Sequence, residues 1–208
     1  SRPDGPAADL SEEITGGRGP FVGSVDQGGV DAGYVEEEYV AAGRATSYTP
    51  VGELTGDGMW TFRPGTQARY RTRVLVRRPA DPADASGVVL VEWLNVSGGL
   101  DADPEYQTLR EEVVRRGDTW VGVSAQQIGV EGGPVAVTVD VPGAEDFVGK
   151  GLKAIDPDRY GSLRHPGDAY AYDIYTQVAR AVRAGSTTPG QAPGPVLAVG
   201  ESQSAFAL

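Results

Sequence analysis

The stretch PVLAVGESQS, residues 195–204, decides the fold of this chain. Its first five residues are an apolar run that predicts a short buried strand. The next five, GESQS, place a serine between small residues. A small residue two positions before and two positions after a serine, between a strand and a helix, is typical of a nucleophile elbow. Gly200 and Ser204 are those small residues here, although glycine is commoner at the second place. The pattern predicts that Ser202 is exposed at the tip of a tight, strained turn.

A polar turn at the end of a strand is the alternative interpretation, because the 30 glycines of the chain make Gly-x-Ser sequences common. The stretch GVS at residues 122–124 is another instance after a predicted strand. There Gln126 lies two residues after the serine, at a position where a nucleophile elbow needs a small residue. The strand, turn and helix context therefore favours Ser202 as the nucleophile.

Only the residues QSAFAL follow Ser202, which is barely one helical turn. A helix that short is not stable alone, and Phe206 and Leu208 resemble the start of a buried helix face. We therefore expect further sequence beyond Leu208, and we interpret the chain as the front part of a longer domain.

The base that would activate Ser202 is a separate question. A serine hydroxyl needs a base, the base needs an orienting acid, and behind a nucleophile elbow both follow the serine in the chain. The one histidine, His165, precedes Ser202. Either the base lies beyond Leu208, which the early end of the chain favours, or His165 serves in an unusual arrangement. In the first case His165 is a loop residue held by backbone or, less often, part of a pocket lining.

The composition of the chain disfavours several kinds of partner and excludes several kinds of site. A net charge of −11 without any basic cluster disfavours nucleic acids and anionic membranes as partners. The absence of cysteine excludes disulfides and thiolate metal sites, and a single histidine excludes a His-based zinc site within the chain. No apolar stretch approaches the ~20 residues that span a bilayer. We expect no cofactor and no metal. The compartment stays open between secreted and cytoplasmic, with secretion slightly favoured.

Apolar runs and helix signals alternate in the second half of the chain. VVLVEWL (88–94) and TWVGV (119–123) predict strands of a parallel sheet. Between them, Asp103, Pro104 and Glu105 predict the capped start of a helix, which ends before Gly117. A second helix is predicted to begin at Asp168.

The first half predicts antiparallel strands over residues 34–40 and 70–77. The acidic residues 36–38 and the arginines of 70–77 are interpreted as solvated faces. The predicted fold class is α/β: a doubly wound, mostly parallel sheet with antiparallel N-terminal strands, incomplete in this chain. Residues 1–18 are predicted to be a flexible arm and 19–208 the N-terminal part of one domain. Within it, the long loop 126–167 is either a lid or pocket wall or an inert excursion.

The second part of the predicted site is the loop NVSGG, residues 95–99, which follows the strand 88–94. Acyl transfer needs N–H donors aimed at the developing oxyanion. The elbow supplies the backbone N–H of Gln203, and the loop would supply that of Asn95 or Val96. An ordinary strand-to-helix turn is an alternative of equal weight. Three further residues are candidates for the substrate pocket: Ser97, Gly98 and His165.

Carboxylates at 101, 103 and 105 raise a different possibility, a metal site or a glycosidase pair. Helix capping explains Asp103 and Glu105 without further assumption, so capping is favoured.

Four stretches resemble a bacterial family of α/β-hydrolase domains that is largely uncharacterised. They are VEWLNVSGG (91–99), WVGVSAQ (120–126), YGSLRHPGD (160–168) and VGESQSA (199–205), and the resemblance runs from about Gly33 to the end. It implies Ser202 as nucleophile, and a domain that continues past Leu208 with the remaining strands, the acid and the histidine. It implies no substrate, because the fold hosts many chemistries.

The main functional hypothesis is a serine hydrolase that cleaves carboxylic esters, or amides, through an acyl-enzyme on Ser202. Its expected partners are a small-molecule ester and the complementary C-terminal segment of the same protein. One alternative is a non-catalytic binding domain that retains the fold, and a histidine missing after the last strand of the complete protein would favour it. Another is acyl transfer, which only the acceptor distinguishes from hydrolysis.

Overall fold

A computed structural model describes residues 5–23, 30–136, 146–190 and 194–208. Within them, six strands form one sheet in the order β1-β2-β3-β5-β4-β6. The strands are β1 (Asp9–Glu13), β2 (Tyr34–Pro50), β3 (Phe62–Pro79), β4 (Val89–Trp93), β5 (Thr119–Val123) and β6 (Val196–Val199). The helices are α1 (Pro104–Arg116), α2 (Gln127–Glu131), α3 (Gly151–Ile155), α4 (Pro157–Tyr160) and α5 (Ala171–Arg183). The α/β class is confirmed, with β4, β5, β6 and the two long helices where the sequence patterns predict them.

The sheet is mixed. β1, β2, β3 and β5 pair antiparallel in that order, whereas β4 pairs parallel with β5 on one side and with β6 on the other. In the described part of the chain the parallel region is therefore β5, β4 and β6, a smaller share of the sheet than the sequence predicts. The long β2–β3 hairpin accounts for the difference.

The two long helices cover opposite faces of the parallel region. The chain passes from β4 through α1 to β5, and then from β5 through α5 back across β4 to β6. Because parallel crossovers are right-handed, connections that run in opposite directions place their helices on opposite faces. The two cores show this: α1 packs on Leu75, Leu90 and Trp120, and α5 packs on Val74, Val91 and Val121. The carboxyl ends of β4 and β6 lie side by side at one edge of the sheet, and open α/β sheets bind ligands outside the carboxyl ends of their strands.

The N-terminal segment differs from the predicted flexible arm. Residues 9–13 form β1, which pairs with β2 and becomes an edge of the sheet. Ala8, Leu10 and Ile14 are buried, so apolar contacts add to the strand hydrogen bonds. The apolar residues are few and lie among acids and glycines, and for that reason the strand pattern is weak in the sequence.

The structure corrects a second prediction, that the arginines of β3 form a solvated face. β3 lies inside the sheet, between β2 and β5, and Arg73 is fully buried. Its guanidinium lies 2.8 Å from a carboxylate oxygen of Glu38 and 2.9 Å from one of Asp101. Arg159 pairs with the other oxygen of Glu38 at 2.6 Å. The interpretation of Arg73 and Glu38 as solvated is wrong, because each meets its charge partner inside the protein.

Arg77 forms a second ion cluster on the same face of β3, four residues further along the strand than Arg73. It pairs with Glu36 at 2.7 Å and with Asp103 at 2.6 Å. Its guanidinium also lies 4.2 Å from the ring centre of Tyr106 and 4.7 Å from that of Trp120. Asp103 is therefore held by Arg77 at the start of α1.

The cap of α1 comes from Glu92 of β4 and differs from the predicted one. Asp103 makes no side-chain cap bond. The first amides of α1, those of Glu105 and Tyr106, each donate to the Glu92 carboxylate at 3.0 Å, and the Trp120 indole donates to it at 2.7 Å. Burial raises the pKa of Glu92 to about 8, while the three donors oppose that rise. Glu92 therefore ties α1 to the end of β4 that precedes the loop 95–99.

No helix among the described residues has the length and apolar character that a membrane crossing needs.

Replacing Arg73 with methionine, similar in length but uncharged, is expected to lower the free energy of unfolding by about 3–5 kcal/mol, because Glu38 and Asp101 would lose their buried cation. Urea denaturation followed by circular dichroism measures the change. Arg115→Met is the matched control, since Arg115 pairs with Glu112 on the exposed side of α1 and should show no measurable effect. Equal stability of the two variants would contradict a structural role for the Arg73 cluster.

Candidate active site

The turn after β6 has the backbone of a nucleophile elbow. Ser202 has φ of +52° and is the one described non-glycine residue with positive φ. Such a conformation costs of order 1–3 kcal/mol and persists only where the surroundings enforce it. The buried hydroxyl of Ser204 accepts from the Glu201 N–H at 3.0 Å and donates to the Glu201 carbonyl at 2.8 Å. These bonds close the turn and leave the Ser202 side chain exposed.

Close packing explains the small residues on either side of Ser202. A Cβ at Gly200 would lie 3.1 Å from the carbonyl carbon and hydroxyl of Ser204 and 3.2 Å from Leu208. Ser204 is fully buried, so a larger side chain at either place would push the turn apart. Serine at the second place adds the two hydrogen bonds that glycine would lack.

Strand register brings the loop 95–99 to the elbow. The parallel pairing of β4 with β6 places Glu92 beside Val199, and Asn95 and Ser202 each lie three residues further on. The Asn95 side-chain amide donates to the Glu201 carbonyl at 2.9 Å, and its Oδ1 accepts from the Ser97 N–H at 2.9 Å. The Asn95 carboxamide therefore joins the loop directly to the turn that presents Ser202.

The predicted oxyanion donors differ in their availability. The Asn95 N–H donates to the Ala102 carbonyl at 2.9 Å. No hydrogen bond of the described residues uses the N–H of Val96 or of Gln203. Asn95 thus contributes its side chain to the site, and the two backbone N–H groups left for an oxyanion are those of Val96 and Gln203.

The base of the loop is fixed by buried polar groups. Asn95 and Ala102 exchange both backbone hydrogen bonds, and the adjoining Asp101 is held by Arg73 and by the Ser124 hydroxyl. The Arg73 cluster therefore lies directly behind the loop 95–99. These bonds hold the base of the loop in place and so favour a fixed position for the Val96 N–H.

The segment 126–167 lies beside the same loop. The Gly149 N–H donates to the Gly99 carbonyl at 2.8 Å, and the Gly133 N–H donates to the Gly149 carbonyl at 3.1 Å. Gly99 has φ of +78°, and a Cβ there would lie 2.8 Å from the Gly149 nitrogen. These contacts favour a pocket wall over an inert excursion, although residues 137–145 lie outside the described part of the chain.

Backbone groups occupy both ring nitrogens of His165. Its Nε2 lies 2.8 Å from the Ala125 carbonyl, and its Nδ1 accepts from the Gly167 N–H at 3.2 Å. The ring is buried, and that burial lowers its pKa. His165 also lines a cavity of about 520 Å³ together with Gln127, Glu131 and Lys153, and none of the described lining residues belongs to the elbow or to the loop 95–99. The arrangement supports the loop interpretation of His165.

The three carboxylates near α1 are separated by their partners. Asp101 pairs with Arg73 and Asp103 with Arg77, and the described residues contain no cluster of three metal-type ligands. Glu105 is partly buried, and burial together with the charge of Glu201 raises its pKa. Ion pairing therefore explains Asp101 and Asp103 better than a metal would.

The family is shown by a direct comparison of the sequence. A family model described as an alpha/beta hydrolase domain matches residues 4–208. The chain belongs to the alpha/beta hydrolase family. The match begins at residue 4, whereas the resemblance in the sequence is expected from about Gly33. The match therefore includes β1 of this alpha/beta hydrolase domain. No curated protein and no solved structure matches the chain.

Two features of the candidate site escape sequence reasoning. The side-chain bond from Asn95 to the elbow depends on the register of β4 and β6, which lie far apart in the chain. The cap formed by Glu92 also joins distant residues. Asn95 follows Glu92, and Ser202 follows Val199, by the same three residues. This equal spacing predicts that Asn95 and Ser202 lie close together, but only once the pairing of β4 with β6 is known.

Replacing His165 with glutamine is expected to flatten the pH dependence of stability below pH ~7. The pKa of His165 is lowered in the folded state, so the unfolded chain takes up a proton first, near its ordinary pKa of about 6.5. Folding stability of the parent therefore falls as pH drops through about 6.5.

Urea denaturation at several values between about pH 7.5 and 5 measures this dependence. Glu92, with its pKa near 8, acts in the opposite direction in both proteins, because a raised carboxyl pKa favours the folded state at lower pH. The difference in unfolding free energy between the parent and His165→Gln therefore reports the titration of the His165 imidazole. A difference that does not vary with pH would contradict a neutral, buried His165.

Proposed function

We propose that this domain is the nucleophile-bearing part of a serine hydrolase that cleaves carboxylic esters through an acyl-enzyme on Ser202. The observation that carries the proposal is the positive φ of an exposed serine, beside two backbone N–H groups without a described partner. Strain of this kind at a non-glycine residue is a feature of functional sites. The small-molecule partner is an ester, and no cofactor takes part in the proposed reaction.

In the proposed first step, the Ser202 hydroxyl oxygen attacks the ester carbonyl carbon while a general base takes its proton. The carbonyl oxygen becomes an oxyanion, which accepts hydrogen bonds from the N–H groups of Val96 and Gln203. Collapse of the tetrahedral intermediate breaks the bond to the alkoxy oxygen, and the protonated base returns its proton to the leaving alcohol. Water then attacks the acyl-enzyme by the same route and releases the acid and the free serine.

The base and its orienting acid are proposed to come from sequence beyond Leu208. His165 is the one histidine of the chain, and backbone groups hold both of its ring nitrogens. A base must reach the proton that it removes, so a segment that supplies histidine and carboxylate has to approach the exposed side of Ser202. That complementary C-terminal segment is the second partner in the proposal.

Labelling with a fluorophosphonate probe tests the nucleophile in the purified full-length protein. The expected result is an adduct on the peptide that contains Ser202, lost in Ser202→Ala and retained in the matched control Ser11→Ala, which removes an exposed hydroxyl of β1. Mass spectrometry of the labelled peptide locates the adduct. A folded protein that takes no label would favour a non-catalytic binding domain.

Replacing Asn95 with aspartate tests the link between loop and elbow. Aspartate keeps the acceptor for the Ser97 N–H and replaces the donor to the Glu201 carbonyl with a second acceptor. We expect the labelling rate of Ser202 to fall about 10–100-fold, because a small displacement of the reacting groups is costly in rate. Stability should change by no more than about 1–2 kcal/mol.

Thr108→Ala is the control for this variant, since Thr108 bonds only within α1 at an exposed position. Its labelling rate should equal that of the parent. Parent-like labelling of Asn95→Asp would show that the elbow holds its position without the Asn95 carboxamide.

A further inference from the structure

The β2–β3 hairpin extends far beyond the rest of the sheet. β3 pairs with β5 from Val74 to Arg77, and Val74 lies opposite Val123, the last residue of β5. The twelve residues from Val74 back to Phe62 follow a path of about 40 Å at ~3.3 Å per residue. Because β3 runs antiparallel to β5, the hairpin leaves the sheet at the carboxyl edge of the parallel strands.

Among the described residues, the outer part of the hairpin makes no hydrogen bond to the rest of the domain. The hairpin's last hydrogen bonds to the rest of the domain are from the Thr46 N–H to Asp173, at 2.6 Å, and between the hydroxyls of Thr66 and Tyr170, at 2.8 Å. The described hydrogen bonds of residues 47–64 join them only to residues of the hairpin. We call residues 47–64 the arm tip.

One face of the arm tip is apolar. The register places Tyr48 opposite Pro64 and Pro50 opposite Phe62. Side chains of directly paired residues, and of residues two apart, share one face of a ribbon. Trp60 packs against Phe62 with ring centres 6.4 Å apart, which extends the same face toward the turn.

The apolar side chains of the arm tip are widely exposed. Met59 is 82% exposed, and four others are close to half exposed: Tyr48, Leu54, Trp60 and Phe62. Large side chains of this kind cover about 150–250 Å² each, so the arm tip offers on the order of 500 Å² of apolar surface. A patch of that size on a soluble protein is often functional. Tryptophan, tyrosine, phenylalanine and methionine are also the residues enriched at protein interfaces.

We propose that the arm tip is a dimerisation surface, on which the apolar face of one chain packs against the same face of a second copy. A two-fold contact uses one patch twice, and two arm tips together would bury roughly 1,000 Å², the lower limit for a specific interface. Pro50 and Pro64 have no N–H to donate, which weakens any strand added along the hairpin edge. The contact is therefore made by side chains of the apolar face.

Charge also favours a second copy as the occupant. The chain has a net charge of −11, whereas the arm tip carries only Glu53, Asp57 and Arg63. Phe62 lies four positions before Thr66, about 13 Å along the strand, and this distance exceeds the Debye length of ~8 Å at physiological salt. Contact through the arm tips thus keeps two acidic bodies apart. A lipid surface fits less well, since the elbow lies at the same sheet edge and would be held well away from the lipid.

Sedimentation velocity of the full-length protein over a range of concentrations tests the proposal. The parent should form dimers, and Trp60→Ser/Phe62→Ser should raise the dimer dissociation constant at least about tenfold, as loss of aromatic anchors does. Val51→Ser is the matched control, because Val51 follows Pro50 and lies on the other face of the hairpin. It should dimerise like the parent. Thermal unfolding followed by circular dichroism verifies that both variants are folded.

Cross-linking gives an independent readout, because the chain has no cysteine. Met59→Cys should form a covalent dimer with a short bis-maleimide, and Glu111→Cys, exposed on α1, should not. A parent that stays monomeric, or a double variant that dimerises equally well, would overturn the proposal. A monomeric parent that binds phosphatidylcholine vesicles by means of Trp60 and Phe62 would also overturn the proposal, because the arm tip would then be a lipid anchor.

Discussion

The parallel pairing of β4 with β6 is the constraint on which the candidate site depends. It aligns Glu92 with Val199, so that the chain leaves both strands at the same level and Asn95 meets the elbow of Ser202. The two crossover helices, α1 and α5, pack on opposite faces of the parallel strands. The positions of Ser202, of its neighbouring N–H groups and of the loop that faces them follow from this one register.

Buried ion pairs support that arrangement from behind. Arg73 links Glu38 of β2 to Asp101 at the base of the loop 95–99. Glu92 binds the first amides of α1, so the same β4 end is tied to the helix that follows the loop. Charges in a low-dielectric interior must be paired to be tolerated, and each pair here also fixes the position of one element relative to another. The Asn95 side chain joins the turn of Ser202 to the loop that these pairs support.

Much of the fold follows from local patterns. The apolar runs of β4, β5 and β6 and the start and stop signals of α1 and α5 predict those elements, and Gly117 ends α1 in the left-handed conformation. The solvated interpretation failed for Arg73 and Glu38 because alternation along a strand shows which residues share a face and not which face is covered. β1 was missed because its apolar residues are too few to form a clear pattern.

The sequence by itself determined the α/β class, the family and the elbow at Ser202, because each depends on residues that lie close together in the chain. Tertiary structure alone decided the role of the Asn95 side chain, the capping of α1 by Glu92 and the bond between His165 Nε2 and the Ala125 carbonyl. Each of these joins residues far apart in sequence, and their distance in space is set by strand order and register. Local sequence determines what a segment can form, and pairing between distant segments determines which side chains meet.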